Sequence, residues 1–252
     1  MKIPAIKLVL FLLTVSFFSC DPVKTEADAI KINQAGVEFM DQGNYEKALL
    51  SFNEAIKNTK LSLPVKGSIY RNIAITYSSL NNTDSSLHYS SLAAKCFDKN
   101  SYDYLVNMAD VELASGRIEK ALSHLLKAAT FNSDDMAVNN SLGLVYLGEY
   151  DDAFTDYKKA LIYNKKAFDF AGDRVTEEVL GRNYYRLEDY ENAELHFKNL
   201  LNKNPDVATY LLYGGMIKYK LNMKPEADLL FNKLLIVDST YKETVADFKE
   251  YN

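Results

Sequence analysis

Small residues return along this chain at a regular interval, and that recurrence limits the fold more tightly than any other feature of it. Gly36, Ala74, Ala109, Gly143, Gly181 and Gly215 form one series, and Ala48, Ser86, Ala121, Ala153, Ala193 and Ala227 form a second. A third, Ala55, Ala93, Ala128 and Ala160, ends in Leu200 and Leu234. Two antiparallel helices reach the short end of the ~8–10 Å packing range only where the crossing point lacks bulk. Aromatic and large aliphatic residues surround these points: Phe39, Tyr77, Tyr146 and Tyr184 in one set, Phe52, Leu125, Tyr157, Phe197 and Phe231 in the other. A stripe that recurs with the repeat is what packing requires and reads as core. With 10 Gly and 5 Pro in 252 residues, the chain favours long helices with short connections over a turn-rich β architecture.

The unit is clearest in residues 180–206, "LGRNYYRLEDYENAELHFKNLLNKNPD", where Leu180, Gly181, Tyr184, Ala193, Phe197 and Pro205 carry the marks. This resembles the tetratricopeptide repeat, a helix, a tight turn and a second helix in ~34 residues. The resemblance implies an all-α fold, a right-handed α-solenoid of about six repeats. Some copies depart from the pattern. The chain has 0 Trp, so Tyr70, Leu105 and Leu211 stand where the family's first-helix tryptophan belongs. The second copy has a serine-rich second helix, "DSSLHYSSLAAK", with Ser90 in place of a large side chain, and is expected to be the least stable layer. The fourth is about two residues short between Tyr146 and Tyr150, and extra residues are expected near 167–173.

In this family the first helices line an inner groove. Its positions fall here on Asn33, Val37 and Met40; Arg71, Ile75 and Ser78; Val106, Asp110 and Leu113; Asn140, Leu144 and Leu147; Glu178, Arg182 and Tyr185; and Leu212, Met216 and Tyr219. The resemblance implies a largely apolar wall with sparse polar anchors, suited to an extended segment or amphipathic helix of a partner protein. At each position the competing role is to cover a gap between neighbouring helices. Arg71, Asn140, Arg182, Tyr185 and Tyr219 are the candidate partner-binding residues, Arg and Tyr being over-represented where interfaces hold most of their energy. The Lys and Asn set with which chaperone-binding members grip a C-terminal carboxylate does not occur on successive first helices.

At the N-terminus, Lys2 and Lys7 precede an apolar run over residues 8–18 that is too short to span a bilayer, which takes ~20 residues. It stops at Ser19-Cys20-Asp21-Pro22. "FFSC" resembles a bacterial lipobox, with Phe17 and Phe18 where the motif usually has Leu and a small residue, and with the small Ser19 kept. The expected layout is a lipoprotein signal peptide over 1–19, a lipidated Cys20 and short linker over 20–27, and the repeat array over 28–252. A cleaved secretory signal with an incidental cysteine is the alternative. A disulfide to Cys96 is a third use for Cys20, but Cys96 reads as a small buried hydrophobe at a helix end. A linker of ~3.5 Å per residue would hold the array within about 30 Å of the bilayer.

The formal net charge is −5, and loss of residues 1–19 removes two of the 29 basic residues and leaves −7. An acidic chain with no basic stripe argues against a nucleic acid partner and against attraction to anionic lipid, so membrane attachment rests on acyl chains. His88, His124 and His196 are the only histidines. They are expected on separate layers, on the outer face, too far apart for one coordination sphere. No glycine-rich phosphate loop or nucleophile motif is present. Asp134-Asp135 and Asp151-Asp152 read as helix caps. No catalytic residue, metal or cofactor is expected.

The layout is similar to that of small tetratricopeptide lipoproteins serving outer-membrane assembly, among them the pilotins of type IV pili. The expectation is a lipid-anchored scaffold of the cell envelope, at the outer membrane, that binds a protein or peptide segment. The rival is a binding protein that captures a peptide or glycan. The sequence leaves the partner and the oligomeric state open.

Overall fold

The computed structural model of the chain describes residues 25–251, which form helices joined by short turns with no strand among them. The signal segment and Cys20 lie outside the described residues. The helices are α1 (Glu26–Asp41), α2 (Tyr45–Ala55), α3 (Leu63–Ser79), α4 (Thr83–Ala94), α5 (Tyr102–Ala114), α6 (Ile118–Ala129), α7 (Met136–Leu147), α8 (Tyr157–Ala171), α9 (Arg174–Arg186), α10 (Tyr190–Lys203), α11 (Ala208–Lys220), α12 (Lys224–Val237) and α13 (Lys242–Tyr251). They fall into two compact units that meet in sequence between residues 62 and 63.

The first unit is the pair α1 and α2. Thr25 and Asp28 form a reciprocal capping box at the start of α1, which satisfies two backbone donors that a helix end leaves unpaired. The array thus opens at Glu26, inside the linker expected to run to residue 27. Glu26 also accepts from the Ser62 hydroxyl at 2.7 Å and from its backbone N–H at 3.0 Å, and these bonds lower its pKa. Gly36 faces the ring of Phe52, where a Cβ would lie 2.4 Å from the ring edge. That contact fixes how closely the two helices approach.

In the second unit, successive helices from α3 to α12 pack on one another. Gly181 faces Phe197 and Gly215 faces Phe231 just as Gly36 faces Phe52. Ala121, Ala193 and Ala227 are fully buried, as are Leu200 and Leu234. The helix α13 closes the last pair: Val245 joins the core of Leu211, Phe231 and Leu234, and Phe248 lies edge-on to Tyr219 at 5.4 Å.

The turns inside the pairs share one geometry. Gly43, Asn81, Gly116, Glu188 and Asn222 all have φ between 57° and 73°. In each turn this residue's N–H and the next donate to carbonyls of the preceding helix, as Gly43 does to Met40 and Asn44 to Phe39. Such a left-handed stop satisfies carbonyls the helix end would otherwise orphan.

The fourth pair departs from the expected register. Its first helix does end early, with Gly148 left-handed at φ 84°. The extra residues, however, lie in this turn and not near 167–173. Residues 152–154 form a 3-10 turn capped by Asp151, and α8 starts only after its cap Asp156. Ala153 is therefore exposed, and Ala160, buried, takes the place expected of it. Ala167 then replaces Ala160 in the third series, and Asn164, not Tyr157, faces Gly143. The insertion holds to the end of α7 through the Asp156 N–H, which donates to the Tyr146 carbonyl at 2.8 Å.

Asn164 puts a polar group where most other pairs place a ring or Leu125. It is buried, donating from Nδ2 to Asn183 Oδ1 at 2.9 Å, and Asn183 donates in turn to the Tyr157 carbonyl at 3.0 Å. This relay ties α8 to α9 through the core.

Candidate functional site

The site is a cleft on the first-helix side of α3 and α5, about 470 Å³ in volume. Arg71, Ile75 and Ser78 of α3 and Asp110 and Leu113 of α5 line it, and all five are groove positions of the sequence reading. Three further sources complete it: Ser86 and Ser90 of α4, Ser141 of α7, and Tyr150 from the inserted turn. Ser90 occupies the frame position of Phe52, Phe197 and Phe231. With so short a side chain, the space a ring would fill becomes part of the cleft. The layer keeps its packing through the preceding residue: Tyr89 stacks on Tyr77 at 5.7 Å and tilts against Tyr70 at 6.0 Å.

Charge in the cleft is unusual for a packing surface. The Asp110 carboxylate reaches solvent but is crowded by surrounding protein, and this desolvation raises its pKa to about 6 against the pull of Arg71. Among the described residues Asp110 forms no ion pair within 4 Å. Arg71, partly exposed, comes within 4.0 Å of Asp103 at the start of α5. Tyr150, 42% exposed, adds an aromatic face beside the acid.

The other candidates do not join this cleft. Arg182 is largely buried and is held by ion pairs to Glu149 and, at 3.8 Å, to Glu178, so its charge is committed within the fold. Tyr185 lies half-buried against Tyr190 and Tyr213 and points its hydroxyl at the Met216 sulfur, 3.9 Å away; burial and the two neighbouring phenols push its pKa up to about 12. Tyr219 packs under Phe248 with Lys224 over its ring at 5.0 Å. Asn140 is half-buried, its Oδ1 enclosed without a hydrogen bond.

The apolar groove positions divide between the two roles open to them. Val106, Leu113 and Leu147 are buried between helices, filling gaps as core, while Ile75 is the apolar groove residue left exposed around the cleft. Asn33, Val37 and Met40 lie on α1 in the first unit.

The histidines are not all on the outer face. His88 is exposed, but His124 accepts or donates at 2.7 Å with the buried Glu112. His196 is stacked on Tyr184 at 5.6 Å, with Glu177 3.8 Å away. Burial lowers its pKa. Among the described residues no three metal-ligating side chains gather, and no helix is long and apolar enough to cross a membrane. Cys96 is a free thiol, donating to the Leu92 carbonyl at 3.4 Å, and burial raises its pKa.

No family model and no curated protein matches this sequence. Solved structures do. PilF of Pseudomonas aeruginosa aligns with a TM-score of 0.63 at 18% identity, over 88% of this chain and 99% of that one. The fold is that of a tetratricopeptide array. YrrB, a TPR protein with an unusual peptide-binding site, aligns at 0.56 and 18% identity over 79% of this chain and 97% of its own. TTC0263 of Thermus thermophilus, also a TPR protein, gives 0.54 and 20% over 75% and 98%. At these identities the likeness is one of architecture.

Proposed function

We propose that the protein is a lipid-anchored tetratricopeptide scaffold of the bacterial cell envelope, held by an acylated Cys20, that takes a segment of another protein along its first helices. The observation that carries the reading is the cleft: Arg71, Ile75, Ser78 and Asp110, from two successive first helices, share one open wall with side chains available to a partner. Similarity in architecture to PilF and YrrB adds to the reading.

Two measurements test it. Cells grown with an alkyne fatty acid should label the wild-type protein, and Cys20→Ala should lose the label and leave the membrane fraction. An unlabelled wild type overturns the anchor. Capture from detergent-solubilised envelope should recover a stoichiometric protein partner, and Ile75→Glu should reduce recovery by about tenfold, as expected where a ~1.4 kcal/mol contact is replaced by a desolvated charge. Equal recovery by wild type and variant overturns the groove.

A further inference from the structure

We propose that the α3–α5 cleft is a site for a small zwitterion, an α-amino acid or a short peptide with both ends free, its ammonium on Asp110 and its carboxylate on Arg71. This goes beyond the scaffold reading and does not depend on it or on the lipid anchor.

Opposite charges that line one cleft in a fold ordinarily close on each other. Here the Asp110 and Arg71 side chains line the same space without pairing with each other: among the described residues Asp110 forms no ion pair, and Arg71 has a 4.0 Å approach to Asp103 at the start of α5, at the limit of an ion pair, which a ligand carboxylate would compete with. A guanidinium presents a planar fork matched to a carboxylate, and a carboxylate accepts from an ammonium. A ligand carrying one charge satisfies one of these groups and leaves the other facing an unpaired partner. A ligand carrying both satisfies the two together. The remaining lining fits the same class: Ser78, Ser86 and Ser90 supply hydroxyls that donate or accept, and Tyr150 supplies a ring for a cation to approach. The volume, about 470 Å³, is within the ordinary range of small-molecule sites, about 300–1,000 Å³. It admits a dipeptide and not a folded partner. The site also exists for a stated reason. Ser90 stands where three other pairs carry a phenylalanine, and a ring there would occupy the cleft.

The test uses the full chain in detergent and isothermal titration with alanyl-alanine, N-acetyl-alanyl-alanine and alanyl-alanine amide. The free dipeptide should bind saturably, and blocking either end should weaken binding by about 10- to 100-fold, the loss expected for one charge-assisted hydrogen-bonded pair. Asp110→Asn, which is near-isosteric, and Arg71→Gln, which shortens the side chain and removes its charge, both on solvent-reaching side chains, should each cost a similar factor with an unchanged circular dichroism spectrum. Ser90→Phe should abolish binding. Absence of dipeptide binding at millimolar concentrations overturns the proposal. So does equal binding of the blocked forms, or wild-type affinity in both charge variants.

Discussion

Gly143→Ala is the sharpest probe of how the fourth pair is built. An added Cβ would lie 1.7 Å from Asn164 Oδ1, 2.6 Å from its Cγ and 3.3 Å from its backbone nitrogen. The side chain must leave, because the first two distances are inside any van der Waals contact. Leaving breaks the bond from Asn164 Nδ2 to Asn183 Oδ1 and strands a buried acceptor, which costs about 1–3 kcal/mol. Overpacking at the helix crossing adds about 1–3 kcal/mol. Alanine's better helix propensity returns about 1 kcal/mol, so the net loss should be roughly 2–4 kcal/mol. Urea unfolding followed by circular dichroism at 222 nanometres measures it. Asn164→Ala in the same chain should remove the steric part and leave mainly the cost of the unpaired Asn183. A Gly143→Ala variant as stable as wild type would show that Asn164 does not face Gly143, and the register of α8 given above would be wrong.

Other expectations are simpler. Glu188 holds φ 61° without being glycine or asparagine, and Glu188→Gly should raise stability by about 0.5–1 kcal/mol in the same urea assay. His196 is kept neutral by burial, so its folded pKa lies below its unfolded value of about 6.5. Its contribution is complete above that value and is lost as pH falls through the folded pKa; the drop in urea midpoint from pH 7.5 to about 5.5 should be smaller in His196→Gln. Asp110 works in the opposite sense, its raised pKa favouring the fold as pH falls toward and below 6, so the comparison between wild type and variant isolates the histidine. Cys96 should react with a disulfide reagent far more slowly in the folded Cys20→Ser chain than in guanidinium, since its thiol is partly buried and its pKa raised; equal rates would place it on the surface.

The array was legible because close helix crossings demand small residues at fixed places, and Gly36, Gly181 and Gly215 meet that demand by seating Phe52, Phe197 and Phe231. The fourth turn was not. Gly148-Glu149-Tyr150-Asp151-Asp152-Ala153 matches Gly43-Asn44-Tyr45-Glu46-Lys47-Ala48 in its glycine, tyrosine and alanine, yet the first forms a 3-10 turn and the second starts α2. What separates them is tertiary: Ala153, Tyr157 and Ala160 share the spacing of Ala48, Phe52 and Ala55 with Ala160, Asn164 and Ala167, and burial selects the second set. The site was half legible. Arg71 and Asp110 stand at the positions the family frame marks, but serines in α4 read as a weakness in packing, and Tyr150 arrives by an insertion whose place was not recognised. Arg182 misled for an electrostatic reason, since nothing local in sequence links it to Glu149.

Ser90 has an implication for how arrays of this kind acquire binding sites. A ring wedged between paired helices fills their crossing, and shortening it opens a chamber there while the residues that form the turns and caps stay as they are, at a cost in stability of about 3–5 kcal/mol. Each of Phe52, Phe197 and Phe231 is thus a latent recess, one codon from being opened, and a stack of near-identical layers can gain a new specificity by subtraction at a single level while the others keep the column upright.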